Sequence, residues 1–135
     1  MQIAVRYFSK TGNTKKLADA IGKVAGVKAE TVEVKIDEDV DILFLGSSVY
    51  AAGIDPKIKE FIAELSPKVK KVVNFSTAAI LKSTYGQVSK LLVEREIQVD
   101  EREYHCRGSF SLLHKGHPDA KDISNIEKFT KEILG

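Results

Sequence analysis

Short apolar segments alternate along this 135-residue chain with segments whose apolar residues recur at helical spacing. Residues 2–8, 41–46 and 71–76 have the character of strands, and an amphipathic segment follows each of them. This alternation is typical of a parallel sheet covered by helices, because parallel strands need long crossover connections. The sequence therefore predicts an α/β fold. With 43% hydrophobic residues, one domain over residues 1–135 can bury a sizeable core.

Two of the predicted strands have contrasting patterns that place them differently in the sheet. Residues 42–45 are the continuous apolar run ILFL, which is expected for a strand covered on both faces. Residues 30–36 alternate instead between branched aliphatic and polar side chains. We therefore expect residues 41–46 in the centre of the sheet, and residues 30–36 at an edge with one face in contact with water.

The connection between these two strands, about residues 35–41, is too short for an ordinary crossover helix. Seven extended residues span at most ~23 Å, and the crossover needs ~19 Å. The helix between strands two and three is thus expected to be short or absent. Its absence would leave the polar face of the edge strand uncovered.

Capping signals and apolar stripes predict the remaining elements. The predicted helices are residues 13–25, closed by Gly26; a helix opened by Asp55-Pro56; residues 84–96; and a final helix that packs Ile123, Ile126, Phe129 and Ile133. A fifth strand is predicted over residues 97–106.

The first strand leads into a turn rich in hydroxyl groups, Ser9 to Thr14, which opens directly onto the first helix. A helix begins with backbone N–H groups that lack intrahelical partners and with a partial positive charge, so this turn is suited to bind a phosphate. Ser9, Thr11 and Thr14 offer hydroxyl donors, and Gly12 allows close approach of the backbone. No Walker or GxGxxG motif is present as an alternative phosphate site.

Composition bounds the class of protein. No segment approaches the ~20 apolar residues of a bilayer span, so we expect no membrane contact and a cytoplasmic protein. A lone Cys106 agrees with a reducing compartment and is interpreted as a small buried residue, not a catalytic thiol. The net charge of +2 is spread along the chain, which argues against nucleic acid as a partner. The spacing of Cys106 and the three histidines matches no zinc pattern, so we expect no metal.

The turn and the central strand carry a resemblance to a known family. Residues 7–14, YFSKTGNT, resemble the phosphate-loop signature of the flavodoxins, and residues 41–50, DILFLGSSVY, with Gly53 are similar to the family's third strand and flavin-binding loop. Residues 75–77 and 106–118 are similar to a short flavodoxin-like subgroup. The resemblance implies a flavodoxin-like three-layer sandwich with a five-stranded parallel sheet in the order 2-1-3-4-5, and it implies the cofactor FMN.

The resemblance also implies where FMN lies. Its phosphate would be held by the turn after strand one, and its ring would lie between the loops after strands three and four, with Tyr50 stacked on it and Tyr85 a second candidate. The implied cofactor-binding residues are Ser9, Lys10, Thr11, Gly12, Asn13, Thr14, Ser47, Ser48, Val49, Tyr50, Ala51, Ala52, Gly53, Ser76, Thr77, Ala78 and Tyr85. No catalytic side chain is implied.

Function follows from the resemblance as three alternatives. The first is an electron carrier that cycles FMN between the oxidised, semiquinone and hydroquinone states and docks with redox partner proteins, a reductase and an acceptor. In this family a peptide flip in the loop after strand three stabilises the semiquinone, and Ala51-Ala52-Gly53 occupies that place. The second is a small FMN-dependent oxidoreductase acting on a quinone or porphyrinogen-like substrate. The third is a flavin-free module for protein contacts.

Overall fold

The strands of the computed structural model lie in one sheet with helices on both faces, and residues 1–10, 12–50, 53–78, 83–107 and 118–135 are described. The elements are β1 (Ile3–Tyr7), α1 (Asn13–Ala25), β2 (Ala29–Thr31), β3 (Ile42–Tyr50), β4 (Gly53–Ile54), α2 (Pro56–Ala63), β5 (Lys71–Ala78), α3 (Tyr85–Glu94), β6 (Gln98–Val99), β7 (Tyr104–Arg107) and α4 (Ala120–Leu134). Helices α2 and α3 share one apolar core with the sheet, and α1 and α4 share the other. The predicted three-layer sandwich is confirmed.

The parallel strands follow the order β2-β1-β3-β5, with β6 and β7 both beside β5 at different levels. The predicted fifth strand corresponds to β6 and β7 together, so the predicted order 2-1-3-4-5 is confirmed. Val5 pairs with Phe44, and Phe44 pairs with Val73. The short strand β4, which the sequence did not predict, runs antiparallel to the end of β3.

The central position of β3 is the one that its apolar run predicts. Leu43, Phe44 and Leu45 are fully buried, and Ile42 is nearly so. Successive side chains enter opposite cores: Leu43 and Leu45 pack towards α2 and α3, and their neighbours pack towards α1 and α4. Both faces of this strand are therefore covered.

The edge strand is shorter than predicted, because β2 ends at Thr31 and not at residue 36. Arg6 provides a physical reason: its Nε donates to the carbonyl of Val34 at 2.8 Å and draws the chain into turns. Val32 and Ile36 remain buried, whereas Val34 is 41% exposed. The expected connection without a helix is confirmed, since residues 32–41 contain none.

The predicted fifth strand is interrupted at Asp100, which is buried. Its Oδ1 accepts from the backbone N–H of Arg102 at 2.9 Å, and its Oδ2 lies 3.2 Å from Lys71 Nζ. This local turn interrupts the pairing with β5, so that β6 and β7 are separate strands. The hydrogen bonds from Arg102 hold the pKa of Asp100 well below its usual range.

The pairing of Asp100 makes the stability of the protein depend on pH. The pKa of Asp100 is lower in the folded protein than in the unfolded chain, where it is ~3.9. The carboxylate therefore stabilises the fold fully above pH ~3.9, and this stabilisation is lost as the pH falls through the folded-state pKa. We expect Asp100→Asn to lower the free energy of unfolding by about 2 kcal/mol at pH 7 and by less at pH 2.5. Urea unfolding at both values measures this, and an equal loss at both would contradict it.

Helix ends follow their sequence signals closely. Helix α1 spans the predicted residues and ends at Gly26, which has φ +75°. Asp55 caps α2 by accepting from Lys57 N at 2.9 Å, and Pro56 is its first residue, as predicted. The longest described helix, α4, has 15 residues, and none of the described helices is both long and apolar enough to cross a membrane.

The C-terminal end of α2 has no basic residue in its last turn, and Arg95 supplies one from the end of α3. Its Nη1 donates to the carbonyls of Ile62 and Leu65 at 2.5 and 2.7 Å. Two carbonyls at a helix end thereby gain a charged donor. The guanidinium joins α2 to α3 across one face of the sheet.

We expect Arg95→Met to lower the free energy of unfolding by about 1.5 kcal/mol, because the carbonyls lose their charged donor while the apolar stem is kept. Lys90→Met is the matched control, since Lys90 is exposed on the same helix. Its effect should stay within about 0.5 kcal/mol. Urea unfolding compares the two, and an equal effect of both would refute the capping role.

Candidate functional site

The predicted binding segments meet at one edge of the sheet, where β1, β3 and β5 all end. Tyr7 pairs with Gly46, and Gly46 pairs with Phe75, so the three carboxyl ends lie side by side. The chain leaves β1 to form β2 on one side, while β3 lies on the other. Ligands of open α/β sheets bind at such a switch point.

The turn before α1 is built around Gly12, which has φ +88° and is the N-cap residue. Glycine has no side chain, so the N-cap itself gives no acceptor to the N–H groups of the first turn. Its own N–H donates to Ser9 Oγ at 2.9 Å, which leaves the Ser9 hydroxyl proton available as a donor. A β-carbon at Gly12 would meet nothing within 4 Å among the described residues.

The charges beside this turn also suit an anion. The first turn of α1 carries no acidic side chain and includes Lys15 and Lys16. Lys10 is exposed, and its Nζ lies 3.4 Å from Asp55 Oδ2 at the start of α2. This glycine-capped helix N-terminus therefore fits the phosphate of FMN, the group that the sequence resemblance implies.

Thr14 lies deeper in the protein than a residue that only contacts a bound phosphate would need to lie. It is fully buried, and its Oγ1 is 2.7 Å from Ser48 Oγ and 3.0 Å from Thr77 Oγ1. Its hydroxyl therefore joins α1 to the ends of β3 and β5. A phosphate in the turn would still meet the backbone N–H groups of the first helical turn.

The predicted end of the third strand at Gly46 is wrong, because β3 continues to Tyr50. Ser47 and Ser48 are strand residues that pair with Ser76 and Thr77 of β5. All four side chains are buried, and the most exposed of them, Ser48, is 7% exposed. They form part of the sheet beneath the candidate site, and not a loop.

Neutral polar side chains fill the interior at this edge. Ser47 Oγ donates to Thr84 Oγ1 at 2.8 Å, and Asn74 Nδ2 donates to the same oxygen at 3.0 Å. The backbone N–H of Thr84 is 3.3 Å from Ser76 Oγ. Thr14, Ser48 and Thr77 form a second group on the opposite, α1 side of the sheet. We call the two groups together the hydroxyl network; its members are Thr14, Ser47, Ser48, Asn74, Ser76, Thr77 and Thr84. It holds the starts of α1 and α3 against β3 and β5.

Sequence reasoning missed Asn74 and Thr84 as members of this set. Asn74 interrupts the apolar run of β5, yet nothing nearby in the sequence identifies its partner ten residues later. Thr84 was expected only as the first residue of a helix. A buried polar residue inside an apolar strand was the available signal, since such a group requires a partner.

Beyond Tyr50 the chain reverses into β4. Tyr50 pairs with Gly53, which has φ +113°, and Gln87 of α3 lies against this hairpin. Of Val49 and Tyr50 only the backbone is described, and Thr11, Ala51 and Ala52 lie outside the described residues. Their predicted contacts with flavin stay predictions.

The start of α3 holds the last of the predicted contacts. Tyr85 is half-buried, and its N–H donates to Ser83 Oγ at 3.0 Å. Ser83 Oγ also donates to Glu103, whose other oxygen is 2.7 Å from His105 Nδ1. Ala78 ends β5 and is buried.

Cys106 is half-buried in β7. Burial raises the pKa of Cys106 to about 12, so the side chain is a thiol at neutral pH. His114 and His117 lie outside the described residues. Within the described ranges no three residues of the types His, Cys, Asp and Glu are grouped closely enough to hold a metal ion.

Comparison with known proteins gives the chain a family. The flavodoxin domain matches residues 4–112. An uncharacterized protein of Methanocaldococcus jannaschii is 30% identical in an alignment that covers 90% of this chain and 90% of that protein.

Solved structures share the fold. A flavodoxin from the domain Archaea superposes with a TM-score of 0.82 at 21% identity, covering 98% of this chain and 96% of its own. Oxidised flavodoxin 1 of Bacillus cereus gives 0.75 at 18% identity, covering 99% and 97%. Rubredoxin oxygen:oxidoreductase of Desulfovibrio gigas gives 0.75 at 12% identity, covering 96% of this chain and 34% of that longer one.

Proposed function

The chain belongs to the flavodoxin domain family, and we propose that it binds FMN and carries electrons between a reductase and an acceptor protein. The observation that carries the proposal is the glycine-capped N-terminus of α1 at the switch point of the sheet. There Gly12 leaves the first-turn N–H groups without a side-chain acceptor of its own. When bound, FMN supplies one-electron chemistry at three oxidation levels.

Each part of the site has a role toward the cofactor. The turn at Ser9 and Gly12 holds the phosphate through N–H and hydroxyl donors. The hairpin of β3 and β4 and the start of α3 flank the ring, with Tyr50 and Tyr85 as the side chains suited to stack on it. The hydroxyl network fixes the positions of both walls.

The neutrality of the hydroxyl network supports a carrier over an enzyme with acid–base chemistry. Among the described residues the buried charged side chains are Arg6 and Asp100, and neither belongs to the hydroxyl network. Arg6 contacts Val34 beside the edge strand, and Asp100 pairs with Lys71 at the start of β5. A buried proton donor for a substrate is thus not evident in the described part of the site.

The test is stepwise reduction of the purified protein after loading with FMN, followed by absorbance. We expect one bound FMN per chain and two resolved one-electron steps, with no turnover of quinones. Protein that stays colourless after mixing with FMN would overturn the proposal. Steady turnover of a quinone with a single two-electron step would instead identify an oxidoreductase.

A further inference from the structure

We propose that Gln87 is a positioning residue for the hairpin beside the flavin, and that its side-chain amide helps to set the one-electron potentials. This inference rests on the proposed binding of FMN. Gln87 lies in the first turn of α3, outside the residues that the sequence assigned to the site. It is exposed, so its role does not come from burial in the core.

The contact between Gln87 and the hairpin is close at two points. Gln87 Oε1 accepts from the backbone N–H of Ile54 at 3.0 Å. A β-carbon at Gly53 would lie 2.9 Å from both Oε1 and Nε2 of Gln87. The amide therefore packs beside Gly53, and a larger residue at this position would force the Gln87 side chain to move.

This amide takes the place of a neighbouring strand. The short strand β4 pairs with β3 through Ile54 and Gly53, and the Ile54 N–H is directed at α3. An edge N–H without a partner would be left to water. Gln87 thus fixes the base of the hairpin at Ile54, while Gly53, at φ +113°, is the first residue of β4.

The helix that carries Gln87 is itself held firmly. Thr84, directly before α3, is fully buried and bonded to Asn74 and Ser47. Val88, next to Gln87, is also fully buried in the core. The connection from β5 through Thr84 to Gln87 and Ile54 therefore joins the two walls of the proposed ring site through hydrogen bonds at both ends of the first turn of α3.

The consequence concerns the peptide that joins Gly53 to Ile54. A peptide beside the flavin that turns when the ring gains an electron and a proton changes the energy of reduction. The hydrogen bond from the Ile54 N–H to Gln87 opposes any rotation of the Gly53–Ile54 peptide. Its loss releases this peptide, so the two potentials should change relative to each other.

The test compares Gln87→Met with the parent protein, with Gln87→Glu, and with Lys90→Met as the matched control on α3. In apo protein, amide hydrogen exchange of Ile54 should accelerate at least tenfold in Gln87→Met. It should stay within threefold of the parent in Gln87→Glu, which keeps an acceptor oxygen, and in Lys90→Met. This readout needs no flavin.

In FMN-loaded protein, Gln87→Met should change the difference between the two one-electron potentials by about 30 mV. This corresponds to a threefold change in the equilibrium constant of a one-electron step. The affinity for oxidised FMN should change less than threefold. Unchanged Ile54 exchange overturns the inference, and so does faster exchange with unchanged potentials. A parent protein that binds no FMN overturns the proposed function, whereas the exchange data still report on the contact itself.

Discussion

Gly46→Ala should lower the free energy of unfolding by about 3 kcal/mol, and Gly46→Val by more. A β-carbon at this position would lie 2.3 Å from Phe75 Cζ and 2.9 Å from Thr14 Cγ2. Neither neighbour has space to withdraw, because Phe75 and Thr14 are both fully buried. The ring of Phe75 crosses the strand at Gly46, and overpacking there must shift the backbone of β3 or β5.

Urea unfolding of apo protein measures this loss, and Gly86→Ala is the matched control. Gly86 lies in α3, and a β-carbon there would have no described residue within 4 Å. That variant should gain about 0.5–1 kcal/mol from helix propensity. The double variant Gly46→Ala with Phe75→Leu should lose less free energy of unfolding than the two single variants lose in sum, by at least 1 kcal/mol. A strictly additive double variant would contradict the proposed clash.

Gly46 connects the stability of the fold to the position of the site. Its carbonyl accepts from Phe8 N at 3.1 Å, where β1 ends and the phosphate turn begins. Thr14, on the other side of that turn, packs its methyl group against the same position. The absence of a side chain at Gly46 thus allows β1, α1 and β5 to converge on one point of β3. A change there should disturb the turn and the core together.

The elements with local signals were predictable from the sequence. Gly26 terminates α1 in a left-handed conformation, and Asp55 with Pro56 begins α2, because these residues act on their immediate neighbours. The unbroken apolar run of β3 placed it in the centre for a similar reason. Each of these features depends on a few consecutive residues.

Where the prediction was wrong, a distant residue decided the structure. Ser47 and Ser48 look like loop residues, but β5 offers Ser76 and Thr77 opposite them. Ser48 and Thr77 meet on the α1 side of the sheet, and Ser47 and Ser76 lie on the α3 side. The edge strand ends early because Arg6, 28 residues away, bonds to Val34. No pattern in a single sequence identifies such pairs, since their contacts exist only after the sheet has formed.

Ser9→Asp separates the phosphate site from the rest of the proposed cofactor site. An aspartate can keep the bond that Ser9 Oγ receives from Gly12 N, so the turn should remain folded. Its negative charge lies near a helix N-terminus and should leave the stability of apo protein equal or slightly higher. That same charge repels a phosphate dianion in the turn.

We therefore expect Ser9→Asp to weaken FMN binding at least a hundredfold, about 2.7 kcal/mol, while riboflavin, which lacks the phosphate, is affected less than threefold. Ser66→Asp is the matched control, because Ser66 Oγ also accepts a backbone N–H, from Lys68, but precedes β5 at the opposite edge of the sheet. Its FMN affinity should change less than twofold. Fluorescence titration with both flavins measures these affinities. Equal weakening of FMN and riboflavin would place the phosphate elsewhere, because a charge at residue 9 would then act on the ring or on the fold and not on the phosphate.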